Sequence, residues 1–328
     1  VSTQPDIASL NPDASQRGAS NGEPLPARAD ATYYDRPLLK RPHWDWEVIS
    51  YLFMGGVMGG SGMLVAIADD DGGDADLARS ARYIAFVLAS TCPLILIKHL
   101  GRPERFLHML RIVKFKSVMS MGVWGLIAFS APASAAAAAQ AAEDGLLPRF
   151  VAKLAPEAVT KPLLGLFGAF IAGYTGVLIS ATAIPLWAIG KRHIPALSVC
   201  SGVAGACAAS SAALALTGGS ARSLTKLERL ELVASLAELG LLLGFERHAG
   251  ELGKPMFQGP RGRKLRTWTM VGGIGIPAFL NLVPLHARWK TLLASALTLA
   301  GGYVLRETLI EAGKLSADDP KAAARQPE

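Results

Sequence analysis

The chain has 328 residues, 51% of them hydrophobic and only 18% charged, with a formal net charge of +7 and a mean hydropathy of +0.31. A soluble domain carries about 25% charged residues; here charge is absent from long windows and concentrated between them, as in a polytopic membrane protein. This distribution excludes a secreted disulfide-stapled chain, a disordered chain and a nucleic-acid reading of the basic excess.

In chain order, Val1–His43 is a tail rich in Pro, Ser, Asp and Ala, with no apolar run and no signal-peptide layout. It is expected to be flexible and then to strap towards the membrane through Arg36-Pro37 and Arg41-Pro42. Eight apolar windows follow: Ile49–Ala68, Tyr83–Ile97, Val118–Ala139, Pro162–Trp187, Ile194–Thr217, Leu230–Phe245, Trp268–Leu285 and Thr291–Leu305. Each is measured against the roughly 20 residues of a spanning helix, and the shorter ones extend through their flanks. The sixth is the weakest, because Glu231 and Glu238 interrupt it. The expected fold is therefore an all-α membrane protein of eight transmembrane helices in two four-helix bundles over residues 44–313. A disordered polar tail is expected over 314–328.

Of the 33 Lys and Arg residues, 23 fall in the tail, at the C-terminus and in the loops on the N-terminal side. The positive-inside rule then puts both termini in the cytoplasm, in a multi-pass protein of the inner (cytoplasmic) membrane. A basic face can equally be a docking face for an acidic partner.

Cys92, Cys200 and Cys207 have no spacing suited to a cluster or to zinc, so buried free thiols are expected and metal ligands are not. The six histidines fall at helix ends or in loops, which disfavours a transmembrane haem. Glu238, among apolar neighbours, shares a broad helical face with Glu231 and Glu228. A proton relay and an internal salt bridge both fit that face. Arg306 and Glu307 are expected to be interfacial anchors. Gly55-Gly56-Val57-Met58-Gly59-Gly60 contains two overlapping GxxxG spacings, which suit close helix packing or room for a flat ligand beside Gly55.

The loop after the second window runs Leu96-Ile97-Lys98-His99-Leu100-Gly101-Arg102-Pro103-Glu104-Arg105-Phe106, followed by Met109-Leu110. This stretch resembles the LGRPxRFxxML signature of the NrfD/PsrC family, the integral membrane subunit of polysulfide-reductase-type complexes. Trp44-Asp45-Trp46 before the glycine run resembles the family's opening of helix one. Tyr174-Thr175-Gly176 through Pro185-Leu186-Trp187 resembles its fourth helix. Gly301-Gly302-Tyr303-Val304-Leu305-Arg306 with Ala312-Gly313 resembles its closing helix. The resemblance covers roughly residues 42 to 313.

The resemblance implies a membrane anchor and quinone-binding subunit of a multi-subunit respiratory oxidoreductase, with the catalytic substrate site on another chain. The chain would exchange electrons between a partner iron–sulfur subunit carrying several [4Fe–4S] clusters and the menaquinone or ubiquinone pool. Through that partner it would meet a molybdopterin-type catalytic subunit; no haem, metal or nucleic acid is implied on this chain. The family's fourth-helix tyrosine corresponds to Tyr174. Val48 and Tyr51 stand where the family often has Asn and His, and Glu47 beside them can supply a proton group. Glu47, Tyr51 and Tyr174 are thus the candidate catalytic residues, with Val48, Gly55 and His99 completing the quinone site. Asp45, Glu231 and Glu238 are candidates for a proton path, and Lys98, Arg102 and Arg105 for partner docking. A proton-coupled transporter or channel using Glu231 and Glu238 is the alternative, and a ligand-free structural anchor is a third possibility.

Overall fold

The computed structural model describes residues 39–68, 73–100, 104, 106–283, 287–320 and 322, all within one unit, Pro37–Glu328. Helix α1 (Trp46–Ile67) is followed by α2 (Ala75–His99), the short α3 (Phe106–Met109), α4 (Val118–Glu143), α5 (Phe150–Leu154) and α6 (Glu157–Ser180). Then come α7 (Pro185–Ile189), α8 (Ile194–Thr217) and α9 (Ala221–Ala249). A 3-10 turn (Gly250–Gly253), α10 (Lys254–Phe257) and α11 (Gly259–Lys264) lead into a π-helical segment (Leu265–Gly275). It continues directly into α12 (Ile276–Leu282), and α13 (Arg288–Asp318) closes the chain. No strand occurs among the described residues.

Local chemistry sets several of these boundaries. Ser117 and Ser220 begin α4 and α9 by accepting from the backbone N–H groups of Ser120 and Ser223. Gly218 ends α8 in the left-handed region at φ 82°, which costs a glycine little. The fourth apolar window does not run unbroken to Trp187. Pro185 disfavours helix at the residue before it, so α6 stops at Ser180 and α7 restarts at Pro185. Pro277, lacking an N–H, follows the stretch that widens into π-helix around Gly272, Gly273 and Gly275.

Among the described residues, five helices, α1, α2, α4, α6 and α8, are long and apolar enough to cross a membrane. The first of them packs on α2, α6 and α8, while α4 packs on α2 and α6. In the second half α8 packs on α9 and α13, and α13 also packs on the π-helical segment and α12. The glycine run is the reason α1 can lie so close to two partners. A Cβ added at Gly59 would stand 2.4 Å from the Gly168 carbonyl oxygen of α6, and one at Gly60 would stand 2.5 Å from that of Gly202 in α8. Those distances are impossible for any side chain, so the packing role of the GxxxG spacing is met on both faces.

Side-chain contacts gather the helix ends at two poles. At one pole the start of α1, the end of α2 and the start of α4 meet α7, the start of α8 and the end of α13. At the other, Lys226 pairs with Asp74, the Ser220 N–H donates to Asp76 at 2.8 Å, and Tyr83 donates to Asp144 at 2.6 Å. Arg82, buried there, donates to Gln140 at 2.6 Å and pairs with Glu157. Residues 314–318, expected to open a disordered tail, instead complete α13. Lys314, Ser316 and Ala317 are buried, and Ser316 Oγ accepts from the Leu186 N–H at 3.1 Å. The remainder of that tail beyond Ala322, like residues 1–38, lies outside the described residues.

Candidate functional site

Successive turns of α1 place Val48, Tyr51 and Gly55 on one face. Val48 and Tyr51 are both buried, Tyr51 at 3% exposure. A Cβ at Gly55 would lie 3.2 Å from Thr175 Cγ2 and 3.7 Å from the Tyr51 ring, so Gly55 is the point where α1 meets the tyrosine region of α6. Tyr174 and Cys92 are the ionisable neighbours of Tyr51. The Tyr51 hydroxyl makes no hydrogen bond among the described residues.

Tyr174 is differently placed. Its hydroxyl donates to the Val118 carbonyl at 2.9 Å, and its ring stacks with Phe170 at 5.9 Å. The side chain crosses α4 where Gly122 leaves room; a Cβ there would sit 2.1 Å from the hydroxyl oxygen. Tyr51, Gly55 and Tyr174 are thus brought together, with Thr175, Gly122 and the Val118 carbonyl as neighbours that sequence reasoning did not select. Gly122, the only residue type that admits the tyrosine, was the available signal.

The flanking candidates lie at the same pole. Glu47 is partly buried in the first turn of α1, and Asp45 caps that helix. Lys314 Nζ stands 3.7 Å from Asp45 and 2.8 Å from Glu311, so Asp45 is part of an ion cluster with the end of α13. His99 ends α2, and Lys98 places its ammonium 4.6 Å from the centroid of the Trp46 ring. Arg102 and Arg105 lie outside the described residues. Glu231 and Glu238 are not in this cluster but on α9, at 2% and 4% exposure.

Three of the sequence motifs meet in one contact. Trp187, fully buried, stacks on Trp44 at 4.9 Å and donates from Nε1 to the Leu309 carbonyl at 2.9 Å. A Cβ at Gly313 would lie 2.0 Å from its indole, so the glycine of the closing motif exists to admit the tryptophan. Lys98, just before the fourth motif, lies over Trp46, while residues 101–103 and 105 of that motif lie outside the described residues. Arg306 departs from its expected interfacial role. It is 2% exposed, donates to the Ser198 carbonyl at 3.3 Å and faces Glu238. Only Glu307 reaches outward, to Lys264 at 2.7 Å.

Apolar helices long enough to span, tied together at one pole by the residues of three separate motifs, define an integral membrane protein. The chain belongs to the polysulphide reductase NrfD family, whose profile matches residues 38–317. It is 25% identical over 320 residues to the Protein NrfD homolog of Haemophilus influenzae, and 26% identical over 305 residues to Protein NrfD of Escherichia coli. Each alignment covers 83% of this chain and 95% of the relative. Members of the family are membrane subunits of oxidoreductase complexes.

Proposed function

We propose that this chain is the quinone-reactive membrane anchor of a multi-subunit oxidoreductase, with its site at Tyr51 and Tyr174. The observation that carries this is that Tyr51, a buried residue whose hydroxyl makes no hydrogen bond among the described residues, stands beside Tyr174 at the pole where three of the family motifs meet. A ligand carbonyl would give that hydroxyl the acceptor it lacks. The residues present therefore fit a quinone.

A bound quinone would supply two-electron, two-proton chemistry between carbonyl and hydroxyl forms. The protein's part is to bind, orient and manage protons. Tyr51 would hold one carbonyl oxygen by donating to it, and Tyr174 would join it by giving up its bond to the Val118 carbonyl. Val48 and Gly55 form an apolar, side-chain-poor wall, and Thr175 closes it from α6. Glu47, with Asp45 and His99 at the same pole, exchanges protons with water.

In this reading α9, the π-helical segment with α12, and α13 also span, giving eight spans. Supporting it, α9 and α13 have 29 and 31 residues, about 44 and 46 Å at 1.5 Å per residue, against a hydrocarbon core of about 30 Å. The packing pattern supports two four-helix bundles, α1-α2-α4-α6 and α8-α9-α12-α13, joined through α1 and α8. A multi-[4Fe–4S] subunit, leading to a molybdopterin-type one, docks at the motif pole, and the Lys and Arg excess on that side supports a cytoplasmic position for it. Menaquinone and ubiquinone both suit the site.

The test uses the complex purified in mild detergent, with its partners identified by mass spectrometry and metal analysis. Tyr51→Phe should lower quinone-linked electron transfer about tenfold, the worth of one hydrogen bond of roughly 1.4 kcal/mol. Electron delivery from the partner to a soluble dye should be unaffected. Unchanged quinone turnover in both Tyr51→Phe and Tyr174→Phe would remove the site.

A further inference from the structure

At the pole opposite Tyr51 the end of α8, the start of α9, the end of α12 and the start of α13 enclose a cavity of about 490 Å³. Ligand sites run to roughly 300–1,000 Å³, and an inorganic anion alone would leave most of this one empty. Among the described residues its lining holds three cations, Arg229, Arg288 and Lys290, against one carboxylate, Glu228. Lys290 is buried, stands 3.7 Å from Glu228 and donates to the Val283 carbonyl at 3.1 Å, so that carboxylate is already matched. Arg229 and Arg288 are exposed and have no acidic partner among the described residues. Arg288 and Lys290 also stand in the first turn of α13, which has no acidic residue, and positive charge there opposes the helix dipole. Asn281 Nδ2, in the same lining, is buried without a hydrogen-bond partner. Much of the remaining wall is aliphatic, with Leu214 and Leu232 inside and Leu282 at 69% exposure.

We propose that this cavity is a site for one anionic phospholipid, with its phosphodiester between Arg229 and Arg288 and an acyl chain along the aliphatic wall. Such a site requires that α9 and α13 span, the reading proposed above, and is independent of the quinone. Phosphate oxygens accept from both guanidinium groups and supply the negative charge that the start of α13 lacks. Arg229 lies about 12 Å along α9 from Ala221, but helical side chains slant back towards the N-terminus, which brings its charged end up to headgroup depth. Trp289, 58% exposed between Arg288 and Lys290, is an aromatic of the kind that sits at the membrane–water interface. A free phosphate would satisfy the cations but leave Leu214, Leu232 and Leu282 uncovered. A zwitterionic headgroup would bring an ammonium beside three cations, where the one carboxylate is taken. Asn281 Nδ2 gains an acceptor in an ester or headgroup oxygen. Since all four elements line the cavity, its occupant ties α9 to α12 and α13 at this pole.

The test takes the full chain, delipidated in mild detergent, into native mass spectrometry with phosphatidylglycerol, phosphatidylcholine of the same chains, or inorganic phosphate. One phosphatidylglycerol should be retained under conditions that strip phosphatidylcholine. Arg229→Gln and Arg288→Gln should each weaken its binding about tenfold, the loss of one charge-assisted hydrogen bond. Arg149→Gln, which removes an exposed charge at the start of α5, should leave it unchanged. Equal retention of the two lipids, or full retention in the double variant Arg229→Gln/Arg288→Gln, would overturn the proposal. So would displacement of the lipid by excess inorganic phosphate, which would make the cavity a free-anion site. A second measurement separates the site from the spans. In vesicles of phosphatidylcholine brominated near the headgroup end of the chain, the fluorescence that Trp289→Phe removes should be quenched. Absence of quenching would take the start of α13 out of the bilayer and overturn the spanning reading with the site. Quenching together with unselective lipid retention would overturn the site alone.

Discussion

Helices α1, α6 and α8 are held together where side chains are missing, whereas α9 and α13 meet through side chains that carry charge. Gly59, Gly60, Gly168 and Gly202 let backbones touch, so the first region has almost no freedom to change spacing. The second region places Glu231, Glu238, Lys290 and Arg306 in its interior and surrounds them with Thr and Ser. A backbone contact is fixed geometry; a buried polar network has alternative proton and hydrogen-bond arrangements. The first region therefore acts as the rigid frame for Tyr51 and Tyr174, and the second as the part able to change state.

The comparison breaks most severely at the glycines. Gly59→Leu drives a side chain into the Gly168 carbonyl, and backbone cannot move aside as a side chain can. The cost exceeds the roughly 1–3 kcal/mol of ordinary overpacking. Size-exclusion in detergent should recover no monodisperse protein. A folded, wild-type-like variant would show that α1 and α6 do not pack through this contact. Arg306→Met is next, since it strands Glu238 and should cost about 3–5 kcal/mol. The double variant with Glu238→Leu should recover most of that loss, as a thermal double-mutant cycle would reveal. If the double is as unstable as the single, the pair is not what couples α9 to α13.

The same division governs what the sequence disclosed. Among the described residues, the five helices long and apolar enough to cross are those of the first five apolar windows. Hydropathy faltered at α9 for the reason that makes α9 interesting: Glu231 and Glu238 are buried in protein, so their neighbours need not be apolar. Arg306 was misplaced because nearness to the expected helix end suggests an interface, while α13 in fact continues to Asp318. The fourth window overran because the apolar run continues through Pro185, where the backbone does not. Tyr51 and Tyr174 were legible from motif resemblance, but the Tyr174–Val118 bond and the Trp44–Trp187 stack join segments distant in sequence. No periodicity encodes such pairings.

A smaller effect separates the tie at the motif pole from the frame. Trp187→Phe retains an aromatic ring against Trp44 but removes the bond to the Leu309 carbonyl. It should cost about 1 kcal/mol. Thermal unfolding in nanodiscs measures it, and limited proteolysis should show the end of α13 loosening first. Equal loosening of α1 would mean that the tryptophan belongs to the frame.

The smallest effect distinguishes the poles by pH. At the motif pole His193 and His248 have ring centroids 4.9 Å apart, and His193 Nδ1 is buried without a partner. Burial, then the charges of His248 and Arg192, hold the His193 imidazole below its ordinary range. An unfolded chain takes up that proton near pH 6.5, before the folded one does, so stability is lost as pH falls through about 6.5 and below. Asp144 at the other pole behaves differently. Burial raises its carboxyl, but hydrogen bonds from Tyr83, Gln140 and Arg79, with the Arg79 charge, outweigh that and hold it below the ordinary carboxylate range. Its contribution is intact above about pH 4 and declines only below that. Acidification should therefore loosen the contact between the start of α8 and the end of α9 first, leaving the α2–α4 contact in place. Hydrogen exchange by segment measures the order. His193→Phe, which keeps a ring against Phe245, should abolish the earlier step and leave the later one. Persistence of the early step would assign it to other groups at that pole.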